Sequence, residues 1–192
     1  MGWSTEDDRW EQLAHYLERV RTAGLALVSQ SDRERLLERH AVPSLEALDL
    51  FPDSGSVLDV GSGGGFPALP LALARPDVRL SLVESNERKA SFLSRVSRET
   101  FLSNINVFNV RAEELGKEHE SVYDIIIARA VADLPELIPW TWRFLAPAGR
   151  WILWKGQSWR AEGDLGRLGV RLLEERPLSD GGRLLVLVPL DD

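Results

Sequence analysis

Ser56-Val57-Leu58-Asp59-Val60-Gly61-Ser62-Gly63-Gly64-Gly65-Phe66-Pro67 is the stretch that decides the fold. Its Val/Leu-rich opening reads as a strand, and the glycines behind it read as a tight turn into a helix entered by Pro67 and continuing over Leu69–Ala74. Glycines at 61, 63 and 65 permit positive φ and let backbone N–H groups come close to a ligand. The next apolar run, Val78–Val83, ends at Glu84, 23 residues beyond Gly61. An acid at the end of a second strand is placed to accept hydrogen bonds from ribose hydroxyls. Loop and acid together point to an adenosine-containing cofactor, contacted by Gly61, Ser62, Gly63, Gly65 and Glu84. A dinucleotide fingerprint would read G-x-G-x-x-G, and here Phe66 takes the last place. That departure, with Pro67 at the helix start, favours S-adenosylmethionine, which has no pyrophosphate to seat on a helix N-terminus. A tight turn without any ligand is the alternative.

Outward from this loop the pattern is that of βαβ units around a parallel sheet. Strands are expected at 56–60, 78–83, 105–110, 124–128 and 149–154, with helices over about 87–101 and 134–144. Asp124-Ile125-Ile126-Ile127-Ala128 is apolar enough to be buried on both faces. Runs at 170–174 and 184–189 flank Asp180-Gly181-Gly182, a turn signal, and read as a hairpin closing the sheet edge. Residues 1–50 read differently. Trp10, Leu13, Ala14, Leu17 and Val20 follow helical spacing, and a second helix is expected from Ser31 to about Leu48, broken or kinked at Pro43. The expected organisation is a helical extension over 1–50 and an α/β domain over 51–192. After the third strand, Arg111-Ala112-Glu113-Glu114 brings a carboxylate or backbone group to where the exocyclic amine of adenine would lie; acids favoured at a helix start are the alternative.

Composition removes several classes. The chain has 192 residues and no cysteine, which excludes disulfides, Cys-ligated metal and any thiol nucleophile. Its three histidines, His15, His40 and His119, form no close pair, so no metal is expected. No apolar run approaches the roughly 20 residues of a membrane helix. The acidic opening Met1–Asp8 is unlike a signal peptide, so the cytoplasm is the expected compartment. No long apolar stripe demands a partner copy, and a monomer is expected.

At a second level the chain resembles the RsmG (GidB) family. The resemblance rests on the strand and loop from Val57 to Leu73, on Glu87-Arg88-Lys89 with Phe92-Leu93, and on Asn104-Ile105. It continues through Arg111-Ala112-Glu113-Glu114, Ile127-Ala128-Arg129-Ala130-Val131-Ala132, Lys155-Gly156-Gln157 and Arg39-His40. Departures stand at Leu25-Ala26-Leu27-Val28-Ser29, where the family has Asn-Leu-Thr, at Gly64 and Ala68, and at Glu84, often Asp in the family. The resemblance implies a Rossmann-like class I methyltransferase sheet of seven strands with an N-terminal helical extension. It implies methyl transfer from S-adenosylmethionine to N7 of a guanosine in 16S rRNA, with rRNA or the 30S particle as partner. It adds Phe66, Ala112, Glu113 and Arg129 to the cofactor positions.

The side chains suit that chemistry. Guanine N7 is a lone-pair nucleophile that needs no general base, and orientation alone can supply up to about 7–11 kcal/mol. The absence of a Ser/His/Asp set is therefore expected. Arg129 and Lys155 are the catalytic candidates: Arg129 to position cofactor or base, Lys155 to hold a phosphate or the guanine O6. The alternatives are a surface ion pair and a solvated loop lysine. The net charge of −7 argues against a nucleic-acid partner, but residues 88–111 carry a local +4. Arg88, Lys89, Arg95 and Arg98, extended by Arg39 and His40, are the RNA-binding candidates; a solvated helix face is the alternative. Most of the tryptophans clustered at 140–159 are expected in the core rather than stacked on a base. A small-molecule methyltransferase and a non-catalytic nucleotide-binding module remain as rival readings.

Overall fold

The computed structural model describes residues 8–190; the acidic stretch that argues against a signal peptide lies, but for Asp8, outside them. Strands β1 (Gly55–Val60), β2 (Val78–Val83), β3 (Ile105–Phe108), β4 (Tyr123–Arg129) and β5 (Leu145–Lys155) pair in parallel. Strands β6 (Val170–Pro177) and β7 (Arg183–Pro189) form an antiparallel hairpin docked on β5 through β7. The order across the sheet is β3-β2-β1-β4-β5-β7-β6. The chain reverses its direction of travel between β1 and β4, and open α/β sheets bind ligands beyond the strand ends at such a point. Gly61 follows β1 and Arg129 ends β4, so the two flank this crevice.

The central strands divide their side chains between two cores, one on each face. Val57, Ile125 and Ile127 enter the first, and Leu58 and Ile126 the second. This alternation is why β4 is apolar at every position from Ile125 to Ala128. The first core is covered by α3 (Ala68–Ala74), buried along its whole length, and by α4 (Glu87–Glu99). Helix α1 (Asp8–Thr22) adds Leu13, Tyr16 and Val20 to that same core. The second core is covered by α5 (Leu134–Thr141). Trp151, Trp154 and Trp159 are buried, and each indole N–H finds an acceptor: Thr141 Oγ1, the Pro43 carbonyl and Glu175 Oε1. Trp140 and Trp142 are the exposed members of the group.

The single helix expected over 31–48 is not formed. A 3-10 turn at Gln30–Asp32 is followed by a π-helical turn at Leu37–Ala41, the short α2 (Val42–Leu45) and a second 3-10 turn at Leu48–Leu50. Pro43 is the cause. It has no N–H to offer the Arg39 carbonyl four residues earlier, so the regular ladder cannot pass through it. Strand limits also differ: β3 stops at Phe108, while β5 begins at Leu145 because a register shift between Tyr123 and Ile125 absorbs the Ala146–Gly149 segment. Among the described residues no helix is long and apolar enough to cross a membrane, and no group of three acidic or histidine side chains stands together to hold a metal.

Candidate active site

Three cavities meet at the strand ends around Gly61 and the segment Arg129–Val131. The first, about 180 Å³, is an apolar slot between Val60, Val83, Val110, Val131 and the Trp140 ring, bordered by Ala112 and Glu113. The second, about 430 Å³, is lined by Gly61–Gly64, Phe66, Glu84, Lys89, His40 and Arg129. The third, about 580 Å³, lies beyond Arg129 and is lined by Arg39, Asp133, Lys155, Glu162 and Asp180. Gly61 borders the first and second cavities, and Arg129 and Ala130 border the second and third. Ala130 has φ +56°, a left-handed conformation uncommon for a residue with a Cβ. Such backbone persists where its surroundings hold it, and it clusters at functional sites.

The glycine loop is braced from two sides. Glu84 accepts from the Gly63 N–H through Oε2 at 2.8 Å and from the Asn86 N–H through Oε1 at 2.8 Å. Asn86 in turn caps α4, its side chain accepting from the Arg88 and Lys89 N–H groups. A carboxylate oxygen can take a second hydrogen bond, so Glu84 keeps capacity for ribose hydroxyls. Behind the loop, the buried Tyr16 hydroxyl donates to the Gly64 carbonyl at 2.9 Å. Phe66 packs between the Tyr16 and His40 rings, 5.1 and 5.0 Å between centroids. The Leu25–Ser29 segment crosses the loop; a Cβ on Gly64 would lie 2.9 Å from the Leu27 carbonyl oxygen.

Gly61 is demanded twice, by φ +67° and by Val131, whose Cγ2 would stand 2.7 Å from an added Cβ. Gly63 has φ +55°, but an added Cβ would meet only the Gly61 carbonyl oxygen, at an ordinary 3.7 Å. Gly65 does not border the cavities: its missing Cβ makes room for Leu69, the Tyr16 hydroxyl and Leu93, so its work is packing. Ser62 is buried and donates to the Asp59 carbonyl.

Asp59, on β1 directly before the loop, is a buried acid that sequence reading did not single out; it borders none of the three cavities. Its side chain is buried and Oδ2 has no hydrogen-bond partner. Burial pushes the carboxyl up to about 8, with the Ser62 side chain opposing and the Glu84 charge adding to the rise. An acid inside an otherwise apolar strand, Val-Leu-Asp-Val, was the available signal.

Arg129 sits in a network rather than on the surface. Its Nη2 donates to the Arg39 carbonyl at 2.7 Å and to Asp180 Oδ2 at 3.2 Å. The first of these acceptors is the carbonyl that Pro43 leaves free. Arg39 donates to the Asp180 carbonyl at 2.7 Å, so the β6–β7 turn, β4 and the N-terminal segment close on one another. Burial lowers the Arg129 pKa, and Asp180 offsets part of that. His40 is held down to about 4, first by burial and then by the Arg129 charge; its Nε2 lies 3.4 Å from Asp32 Oδ2 without hydrogen-bond alignment. Lys155 is not a solvated loop lysine: Nζ donates to the Ala132 carbonyl at 2.9 Å and lies 2.6 Å from Glu162 Oε2.

The expected RNA-binding cations are split. Arg88, Arg95 and Arg98 are exposed on one face of α4, with Arg95 3.9 Å from Glu99. Lys89 turns to the second cavity, and Arg39 and His40 belong to the Arg129 network. The structure brings the glycine loop, Phe66, Glu84, Ala112, Glu113 and Arg129 together around the first two cavities. Glu114 stands apart from both and accepts from the Arg111 N–H, the helix-start role. Asp180 and Glu162 were invisible as site residues, because only the fold joins them to Arg129 and Leu134, tens of residues away.

The sulfonium nucleoside fits this arrangement by observation: an apolar slot beside an aromatic ring, and next to it a cavity walled by the left-handed Gly61 and Gly63 and by the Glu84 carboxylate. Solved structures share the architecture. A SAM-dependent methyltransferase from Aquifex aeolicus superposes with TM-score 0.65 at 14% identity, over 91% of this chain and 98% of that one. TYW2 of P. horikoshii, in complex with MeSAdo, also gives 0.65 at 14% identity, over 86% and 64%. These identities bear on the fold alone. Sequence relatives go further, all three being ribosomal RNA small subunit methyltransferase G. That of Sorangium cellulosum is 42% identical over 160 residues, covering 80% of this chain and 66% of the relative. That of Geotalea uraniireducens is 38% identical over 81% and 75%, and that of a Roseiflexus species 35% identical over 97% and 86%. Residues 9–175 match the sequence model of one family, and the chain belongs to it: GidB, rRNA small subunit methyltransferase G.

Proposed function

We infer that this protein transfers a methyl group from S-adenosylmethionine to N7 of a guanosine in 16S rRNA. The observation that carries the reading is the junction of three cavities at Arg129–Val131: two suited to an adenosyl ligand, and a third for the accepting base. In this reading the apolar slot with Ala112, Glu113 and Trp140 takes the adenine. Glu84 takes the ribose, and Gly61–Gly63 with Phe66 the remainder. Bound S-adenosylmethionine supplies a methyl on a sulfonium centre, a strong electrophile.

Guanine N7 accepts that methyl with its in-plane lone pair and loses no proton, so the positive charge passes from sulfur to the purine. The side chains therefore bind, orient and exclude water; none has a proton to move. Arg129, bordering both chambers, fixes the relative placement of donor and acceptor. Lys155 faces the base chamber with its ammonium already engaged. Arg88, Arg95 and Arg98 form a cationic face for phosphates, the sequence-independent part of RNA binding. Within the helical extension, Tyr16 supports the loop from behind and Leu27–Ser29 closes one side of the site. In this reading the protein acts in the cytoplasm on 16S rRNA or the 30S particle, as a monomer and without a metal.

Mass mapping of modified guanosines in 16S rRNA, from cells with and without the gene, tests this. One N7-methylguanosine that disappears with the gene supports the reading; an unchanged map contradicts it.

A further inference from the structure

The third cavity holds a carboxylate that the reading above leaves without a task. Three acids line it. Asp180 is committed to Arg129 and to the Gly182 N–H, and Asp133 is exposed. Glu162 differs from both, with its side chain only 16% exposed. Its Oε2 accepts from the Leu134 N–H at 2.9 Å and lies 2.6 Å from Lys155 Nζ. Lys155 is itself fixed by the Ala132 carbonyl. Both contacts fall on one oxygen, and Oε1 takes no hydrogen bond from the described residues. The carboxylate is thus held in place, with an acceptor to spare, at the edge of a cavity of about 580 Å³, ample for a purine base. Glu162 borders neither cofactor cavity, whereas Arg129 and Ala130 join this cavity to the cofactor side.

Resting on the guanosine-N7 reading, we propose that Glu162 reads the target base, its free oxygen accepting from the N1–H and N2–H edge of guanine, with Lys155 as the residue that positions it. The chemistry selects this edge. With N7 presented toward the cofactor chamber, the far side of guanine carries two adjacent donors, N1–H and N2–H, between the O6 and N3 acceptors. A carboxylate is acceptor-only and matches them. Adenine places a lone pair at N1, which a carboxylate repels, and pyrimidines have no N7. Rejection by an unpaired or repelled buried polar group is a strong form of discrimination. As N7 gains its methyl the purine becomes cationic and N1–H and N2–H become better donors, so the contact tightens toward the transition state.

The test uses 16S rRNA assembled by splinted ligation, with guanosine or inosine at the methylated position, reconstituted into 30S particles. Inosine keeps N7, O6 and N1–H and lacks only the N2 amine. The wild-type protein is expected to prefer guanosine in kcat/KM by about tenfold or more, and Glu162→Gln to bring that ratio within about threefold of unity. A purely structural role would slow both substrates equally and keep the ratio. Affinity for S-adenosylhomocysteine checks that the variant is folded; if it is not, Glu162→Met, of similar length and without an acceptor, gives the same readout. A wild-type preference retained in the variant, or absent from the wild type, overturns the proposal. A wild-type protein that methylates neither substrate overturns the guanosine-N7 reading itself, and the proposal with it.

Discussion

The Tyr16 hydroxyl and the Gly64 carbonyl are joined by a 2.9 Å hydrogen bond in the buried core, so the first helix holds the glycine loop from behind. Tyr16→Phe keeps the ring packing and leaves that carbonyl unpaired in a dry site. A loss of about 1–3 kcal/mol is expected for an unsatisfied buried acceptor. Urea denaturation checks it. Because the loop also borders the cofactor cavity, cofactor affinity should fall in the same variant.

Gly61 and Gly63 separate two reasons for glycine. Gly61→Ala meets Val131 at 2.7 Å and carries the left-handed φ, whereas Gly63→Ala carries only the φ. Calorimetric titration with S-adenosylmethionine should show Gly61→Ala weakened by about a hundredfold or more, while Gly63→Ala loses only the backbone term of about 1–2 kcal/mol, roughly five- to thirtyfold. Equal losses would assign Gly61 no special contact.

The ionisable pair Asp59 and His40 shapes stability against pH, in opposite senses. The Asp59 carboxyl, ordinarily near 3.8, stands at about 8 in the folded chain. The folded state therefore keeps a proton that the unfolded state releases, and stability falls as pH rises from about 4 to 8. His40, ordinarily 6.5, stands at about 4. The unfolded state takes up its proton first on acidification, so stability from this group rises with pH between about 4 and 6.5. The slopes oppose one another below pH 6.5, and Asp59 acts alone above it. Thermal midpoints of the cofactor-free protein should change little from pH 5 to 6.5 and decline from 6.5 to 8. Asp59→Asn should remove the decline and expose the His40 rise.

The α4 cations make a separate prediction. Replacing Arg88, Arg95 and Arg98 by Gln should reduce the slope of log affinity against log salt for 16S rRNA by about 2–3, at roughly 0.7–0.9 per phosphate contact. An unchanged slope would mean that this face does not touch phosphate.

The sheet and the cofactor loop were legible because their signals are local. A strand, a glycine turn and an acid at the next strand end occupy fewer than thirty residues, and Ile125–Ile127 announce burial on both faces by composition. The region over 31–48 was not legible as drawn. Pro43 was visible, but its effect, a free Arg39 carbonyl that takes Arg129 as donor, depends on a residue 90 positions away. Asp180 read as a turn residue, which it is, and its pairing with Arg129 follows only from the hairpin docking on β5. Glu162 carried no pattern at all. Gly65 was read with the ligand because it belongs to the motif, yet its neighbours are Leu69, Tyr16 and Leu93.

The most direct test of the methyl-transfer reading combines the purified protein, labelled S-adenosylmethionine and 30S particles that lack the modification. The expected result is one methyl per particle, on N7 of a single 16S guanosine, with Gly61→Ala transferring far less. Methyl groups on another atom or another RNA, or no transfer by protein that binds the cofactor, would contradict it.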